Sequence, residues 1–186
     1  MKYRMIKKRR RTALTDYSKR VALLMGNMPR VVIRKSNRSI TLQIVNFEPA
    51  GDKVVATANS KELMKFNWAP RSNIPTAYLT GLLLASKAKK LNLNEIVVDI
   101  GLSKPQKSSV MFAAAKGVAD GGLKVLNSIE FDEKRLKGSH ISEYAKLIKS
   151  DAETYKRQFS GYTEQKFEVE KLSENFESAK KKIMSE

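Results

Sequence analysis

The 186-residue chain has no cysteine, a single histidine (His140) and a single tryptophan (Trp68). Without thiols there is no disulfide scaffold and no thiolate zinc site, which suits a reducing compartment. One imidazole cannot build a histidine-based metal centre or supply both an acid and a base. His140 therefore reads as a surface or capping residue, and Trp68 as a packing residue. Aromatics are few, at 8%. No apolar run approaches the ~20 residues that cross a bilayer; the best lies around Leu82 to Ala85. The stretch from Val21 to Met25 is too short for a signal-peptide core. The expectation is a soluble, intracellular protein with no membrane partner, no cofactor and no small-molecule substrate.

Acid is scarce in one place above all. Residues 1–40 hold thirteen Lys and Arg against one acid, Asp16. Residues 41–140 hold fourteen against nine, and residues 141–186 hold nine against nine. Most of the net +17 is thus gathered at one end. A dense like-charged segment repels itself and gains nothing from folding. It becomes favourable on a polyanion, where it releases condensed counterions. Nucleic acid is the leading partner.

Hydrophobic periodicity divides the remainder. Residues 1–15 have too few apolar side chains to pack, and are expected to order only on a partner. Asp16 caps a short helix over 17–27, with Val21, Leu24 and Met28 on one stripe. Gly26, Asn27 and Pro29 stop it. Three strand-like runs follow, RVVIRK (30–35), ITLQIVNF (40–47) and KVVATA (53–58). The turns between them are short, and Asn37 suits a positive φ. A helix from Asn73 is apolar over most of its girth, which predicts burial against a sheet. EIVVDIG (95–101) reads as a central strand, and residues 108–123 as a second helix, with Gly117 and Gly121 allowing close approach. Beyond Asp132 come two amphipathic stripes. The first runs from Ile141 through Tyr155 to Phe159; the second comprises Phe167, Leu172, Phe176, Ala179 and Ile183. Residues 160–162 read as the linker between them.

The predicted class is α/β, with a mixed sheet from an antiparallel three-strand meander followed by helix, strand and helix. The expected organisation is a basic arm and short helix (1–28), an α/β core (29–131) and a helical extension (132–186).

The run KKRRRT (7–12), with Lys2, Arg4, Lys19 and Arg20, is the strongest functional signal. Interleaved Tyr3 and Tyr17 offer faces for unpaired bases, while guanidinium forks grip phosphate. The bland alternative is a solubilising or nuclear-address run. The tip Arg34, Lys35, Ser36, Asn37 and Arg38 is the second signal, either a basic finger for an RNA groove or protection of a sheet edge. Gln43 is a weaker candidate. Asp99, alone in an apolar strand, could ligate a metal in a ribonuclease-H-like nuclease. RVVIRK offers it no acidic partner, so a structural role is favoured. Lys104, Lys107 and Ser108 could hold a phosphate at a helix N-terminus, although the P-loop spacing is missing.

Several stretches carry a resemblance. They are Tyr3 through KKRRRT to Thr15, Asp16 and Tyr17; PR with VVIRKSNR (29–38); NIPTAYLTGLL (73–83); VVDIGL (97–102); and GSHISEYA (138–145). In order, they resemble the archaeal and eukaryotic-type large-subunit ribosomal protein that binds 5S rRNA, the family numbered eighteen in bacteria. The last forty residues match only loosely. The resemblance implies a mixed α/β domain of the translational-machinery type and a place in the central protuberance. The implied partners are 5S rRNA, large-subunit rRNA and neighbouring ribosomal proteins. It implies 5S rRNA contacts from Tyr3, Arg9, Arg10, Arg11, Thr12, Tyr17, Arg20, Arg30 and residues 34–38, to which the basic run adds Arg4, Lys7 and Lys8. Ala13 and Leu14 depart from the glycine and basic residue that relatives often carry.

Overall fold

The computed structural model describes residues 5, 6, 8–125, 129–165 and 167–185. Among them lie five strands and eight α-helices in an α/β arrangement. None of these helices is long and apolar enough to cross a membrane.

The basic arm contains one helical turn, α1 (Lys8–Arg11), where the sequence pattern led to an expectation of no structure. The turn closes locally. Thr12 donates from its amide and its hydroxyl to the Lys8 carbonyl, each at 3.0 Å, and the Leu14 amide donates to Arg9 O at 2.8 Å. Ala13 sits at φ 53°, where a residue with a Cβ is strained. A glycine at that position would be free of the strain.

Helix α2 (Tyr17–Met25) is capped by Asp16, whose carboxylate accepts from the amides of Ser18 (3.1 Å) and Lys19 (3.2 Å). The expected packing stripe does not enter the core. No residue of α2 is buried, and Val21 and Met25 are 57% and 81% exposed. The ion pair of Arg20 with Asp52 tethers the helix instead.

Strands β1 (Arg30–Lys35), β2 (Ile40–Asn46), β3 (Lys53–Asn59), β4 (Glu95–Asp99) and β5 (Lys124–Val125) form one mixed sheet in the order β3-β2-β1-β4-β5. The β1–β2 and β2–β3 pairs are antiparallel, and β1–β4 and β4–β5 are parallel. Alternation sends Val31, Ile33, Ile40, Leu42, Ile44, Ala56, Ala58 and Ile96 into the core. In the β1–β2 turn Asn37 is not at positive φ. The turn is pinned by Ser36, whose amide and hydroxyl donate to Ser39 O at 2.8 and 2.9 Å.

Helix α3 (Ile74–Lys89) begins at Asn73, which accepts from the Thr76 amide, and carries Pro75 in its first turn. Twelve of its sixteen residues are buried. Helix α4 (Val110–Asp120), capped by Ser109, crosses it backbone to backbone. A Cβ on Gly81 would run into Ala114 O, and one on Gly117 into Tyr78 O.

The C-terminal segment forms α5 (Glu133–Lys137), α6 (Ser139–Leu147), α7 (Ala152–Glu164) and α8 (Leu172–Met184). Residues 160–162 are helical rather than a linker. The chain kinks at Phe159 (φ −107°, ψ 19°), and α7 continues because Tyr162 is buried and its hydroxyl accepts from Asn73 Nδ2 at 2.7 Å. The second apolar stripe is realised in α8, where Leu172, Phe176, Ala179 and Ile183 are all buried. Phe176 stands edge-on to Trp68 (6.1 Å), whose indole N–H donates to Thr76 Oγ1 at 2.9 Å. Each large buried side chain contributes about 1.5–3 kcal/mol. Surface ion pairs such as Lys137–Glu177 contribute about 0–1 kcal/mol each. Apolar packing therefore holds the tail.

Because no side chain separates α3 from α4, Gly117→Ala is expected to destabilise the fold by about 2 kcal/mol or more through overpacking. Urea denaturation measures this. A midpoint within error of the wild type would show that the crossing is loose.

Candidate nucleic-acid interface

Strand geometry places two arginines and a carboxylate on one face of the sheet. Val31 and Ile33 point into the core, so Arg30, Val32 and Arg34 share the opposite face. In the parallel register, Val32 pairs with Asp99 of β4. Asp99 thus sits between the two guanidiniums. Its Oδ2 lies 3.4 Å from Arg30 Nη1 and its Oδ1 lies 3.5 Å from Arg34 Nη2. The same Oδ1 accepts from the Gly101 amide at 2.7 Å.

Asp52, in the β2–β3 turn, extends the series. Its Oδ2 is 2.9 Å from Arg30 Nη2, and both its oxygens accept from Arg20 Nη2 at 2.9 Å. The result is an alternating ladder, Arg20–Asp52–Arg30–Asp99–Arg34, running from α2 across the sheet to the hairpin. Burial acts to raise the Asp52 pKa, but Arg30 and Arg20 together outweigh it and hold this carboxyl below its ordinary value.

The ladder corrects one expectation. Arg30 is 1% exposed and enclosed by Asp52 and Asp99. It is an internal ion-pair partner and presents no surface to a nucleic acid. Its Nε finds no acceptor, and Nη2 is close to Asp52 without hydrogen-bond alignment, so Coulomb attraction holds this residue more than directed bonding does.

The two ends of the ladder are exposed. The Arg34 side chain is 51% exposed, while its Nη1 donates to Ile33 O (2.8 Å) and Asp99 O (3.1 Å). Part of its five-donor fork remains for an outside acceptor. Gly101, at φ 62°, leaves room for this side chain, since a Cβ there would stand 3.0 Å from Arg34 Cζ. Lys35, Asn37 and Arg38 are exposed around the tip. The Ser36 hydroxyl donates to Ser39 O and the Thr12 hydroxyl to Lys8 O, and both residues are exposed.

The arm faces the same side. Arg9 Nε donates to Thr15 Oγ1 at 2.9 Å. Lys8, Arg10 and Arg11 are exposed and, among the described residues, make no ion pair. Tyr3, Arg4 and Lys7 lie outside the described residues. An open cleft of about 910 Å³ separates the arm and α2 from the hairpin and the segment after β4. Arg9, Tyr17, Arg20, Arg34 and Lys35 line it together with Ile100, Leu102 and Pro105. A cleft that mixes cationic and apolar side chains can hold phosphates together with a base or sugar.

Asp52 has no place in the sequence reading of this site, and the loop from Gly101 is read there only as a possible phosphate loop, without its contact to Arg34. Asp52 read only as a turn residue, and its partners are 22 and 32 positions away. Asp99 is held by two guanidiniums of its own chain and a backbone amide, which is a structural role. Ser108 is at φ 56°, and the α4 cap is Ser109. Lys104 and Lys107 instead border a separate hollow with Lys35 and Arg135.

Comparison with known proteins bears on this surface. A family model described as ribosomal large subunit proteins 60S L5 and 50S L18 matches residues 1–97, which include the arm, α2, the hairpin and β4 up to Val97. The large ribosomal subunit protein uL18 of Methanococcus maripaludis is 42% identical, covering 99% of this chain and 97% of that protein. Its counterpart in Thermofilum pendens is 44% identical, covering 98% and 95%. With the match spanning more than half the chain and the identity running end to end, this chain belongs to the family of ribosomal large-subunit proteins that comprises 60S L5 and 50S L18.

Proposed function

We propose that this chain is a structural protein of the large ribosomal subunit that binds 5S rRNA and helps attach it in the central protuberance. The family is one of ribosomal proteins rather than enzymes, and its members work in the cytoplasmic ribosome. The observation that carries the RNA reading is one face on which the arm, α2 and the hairpin tip converge with exposed cations. Large-subunit rRNA and neighbouring ribosomal proteins are the further partners. In this reading residues 1–28 grip, residues 29–131 supply a rigid frame of the translational-machinery type, and residues 132–186 face protein neighbours. The RNA contacts are Tyr3, Arg4, Lys7, Lys8, Arg9, Arg10, Arg11, Thr12, Tyr17, Arg20, Arg34, Lys35, Ser36, Asn37 and Arg38.

The arm contributes no buried side chain among its described residues, so removing residues 1–12 should leave the fold intact and abolish most 5S rRNA affinity. Thermal melts and filter binding check the two halves, and tight binding by the truncated protein would refute the proposal for the arm. Salt gives an independent test. If roughly six to ten cations meet phosphate, log affinity should fall with log salt at ~0.7–0.9 per contact, a slope of several units. A slope near one would remove charge as the grip.

The hairpin is expected to discriminate where the arm only attracts. Its tip is held by paired strands and presents a fixed shape, which is how RNA helices are distinguished. Arg34→Ala combined with Asn37→Ala should narrow the gap between 5S rRNA and an unrelated structured RNA. Lys8→Ala combined with Arg10→Ala should weaken both equally. A charged hydrogen bond is worth about 1.5–3 kcal/mol, which a titration resolves. Equal losses on both RNAs from the hairpin pair would reduce the tip to one more phosphate clamp.

A further inference from the structure

We propose that Asp52 and Asp99 are positioning residues for RNA recognition, presetting the guanidiniums of Arg20 and Arg34 through the buried Arg30 at the centre of the ladder. The inference rests on the 5S rRNA reading above and assigns the interface two carboxylates that a polyanion would, by charge alone, avoid.

An acid beside an RNA surface lowers the local positive potential, so its presence there needs a reason. Stability is a weak one for the outer rungs, because Arg20 and Arg34 are respectively 34% and 51% exposed and exposed pairs hold little energy. Geometry is a better reason. A free arginine samples many rotamers and loses that freedom when it docks. Here Arg20 is clamped by both oxygens of Asp52, and Arg34 is held by Asp99 and two backbone carbonyls. Each keeps part of its donor fork for RNA. The middle rung makes the two ends interdependent, since Arg30 binds both carboxylates and is fully enclosed. Gly101 completes the setting by leaving the space that Arg34 occupies. Helix α2 and the hairpin, which share little apolar contact, are thereby fixed relative to each other.

The test uses the full chain with Asp52→Asn and with Asp99→Asn, each titrated against 5S rRNA and an unrelated structured RNA of similar length. Either change makes the protein more cationic by one charge, so electrostatics alone predicts tighter binding to both. Positioning predicts the reverse for 5S rRNA, a loss of about two- to tenfold per released arginine, with the unrelated RNA unchanged or tighter. The salt slope should stay constant, because the bound state makes the same number of phosphate contacts and only the cost of ordering the arginines rises. Near-ultraviolet circular dichroism verifies folding of each variant. A folded variant that binds 5S rRNA as well as the wild type overturns the inference. Wild-type protein that shows no preference for 5S rRNA overturns the underlying reading instead.

A second measurement needs no variant. In the free wild-type protein, nitrogen-15 exchange at the arginine guanidiniums should show hindered rotation for Arg20 and Arg34, as for Arg30, and fast rotation for Arg38. Arg20 and Arg34 turning as freely as Arg38 would overturn the inference even if neither variant folds.

Discussion

At Gly81 and Gly117 the backbones of α3 and α4 touch, and that contact sets where the sheet can lie. With α4 so near, α3 is enclosed by the sheet, by α4 and by α8, and most of its circumference can be apolar. One face of the sheet is consumed in this packing. The alternation of β1 then leaves Arg30, Val32 and Arg34 on the other face, where helices do not need them. The helices thus cover one sheet face, and the charged residues of β1 lie on the other.

That face resolves a tension in the composition. Thirteen cations against one acid in the first forty residues would repel one another in a compact protein. The fold relieves part of this by lending two acids from elsewhere in the chain, Asp52 and Asp99, to three of those arginines. Among the described residues, the remaining cations of this stretch, Lys8, Arg9, Arg10 and Arg11 on the arm, Lys19 on α2, and Lys35 and Arg38 at the hairpin tip, are exposed. The division separates charge that organises the protein from charge available to a partner. A buried pair broken on one side leaves an uncompensated ion, so the inner part of the ladder is kept intact by a penalty of about 3–5 kcal/mol.

Much of the fold was legible because periodicity is local. RVVIRK is β1 to the residue, Asn73 begins α3, and the stripe from Leu172 to Ile183 is the buried face of α8. Errors arose where distant residues decide. The fate of Arg30 depends on Asp52 and Asp99, 22 and 69 positions away, and nothing near it in the sequence marks it as internal. Residues 160–162 looked like a linker because Gly161 weakens a helix, yet Tyr162 is held by Asn73 from another element. Asn59 and Glu62 do carry a local signal, a capping box that opens a turn of 3-10 helix over Ser60–Phe66, and periodicity alone overlooked it. For the candidate site, the exposed cations of the arm and tip were legible by charge. Gly101 and the segment after β4 join them only through the parallel pairing of β4 with β1, and Asp52 joins them from the β2–β3 turn through Arg20 and Arg30.

The central claim is that the exposed hairpin tip meets 5S rRNA. Replacing Asn37 with a photo-crosslinking amino acid in living cells, irradiating, and sequencing the RNA attached to the purified protein tests it most directly. The account predicts strong enrichment of 5S rRNA at a small number of neighbouring nucleotides. Recovery of only the long large-subunit rRNA, or of no ribosomal RNA, would contradict it.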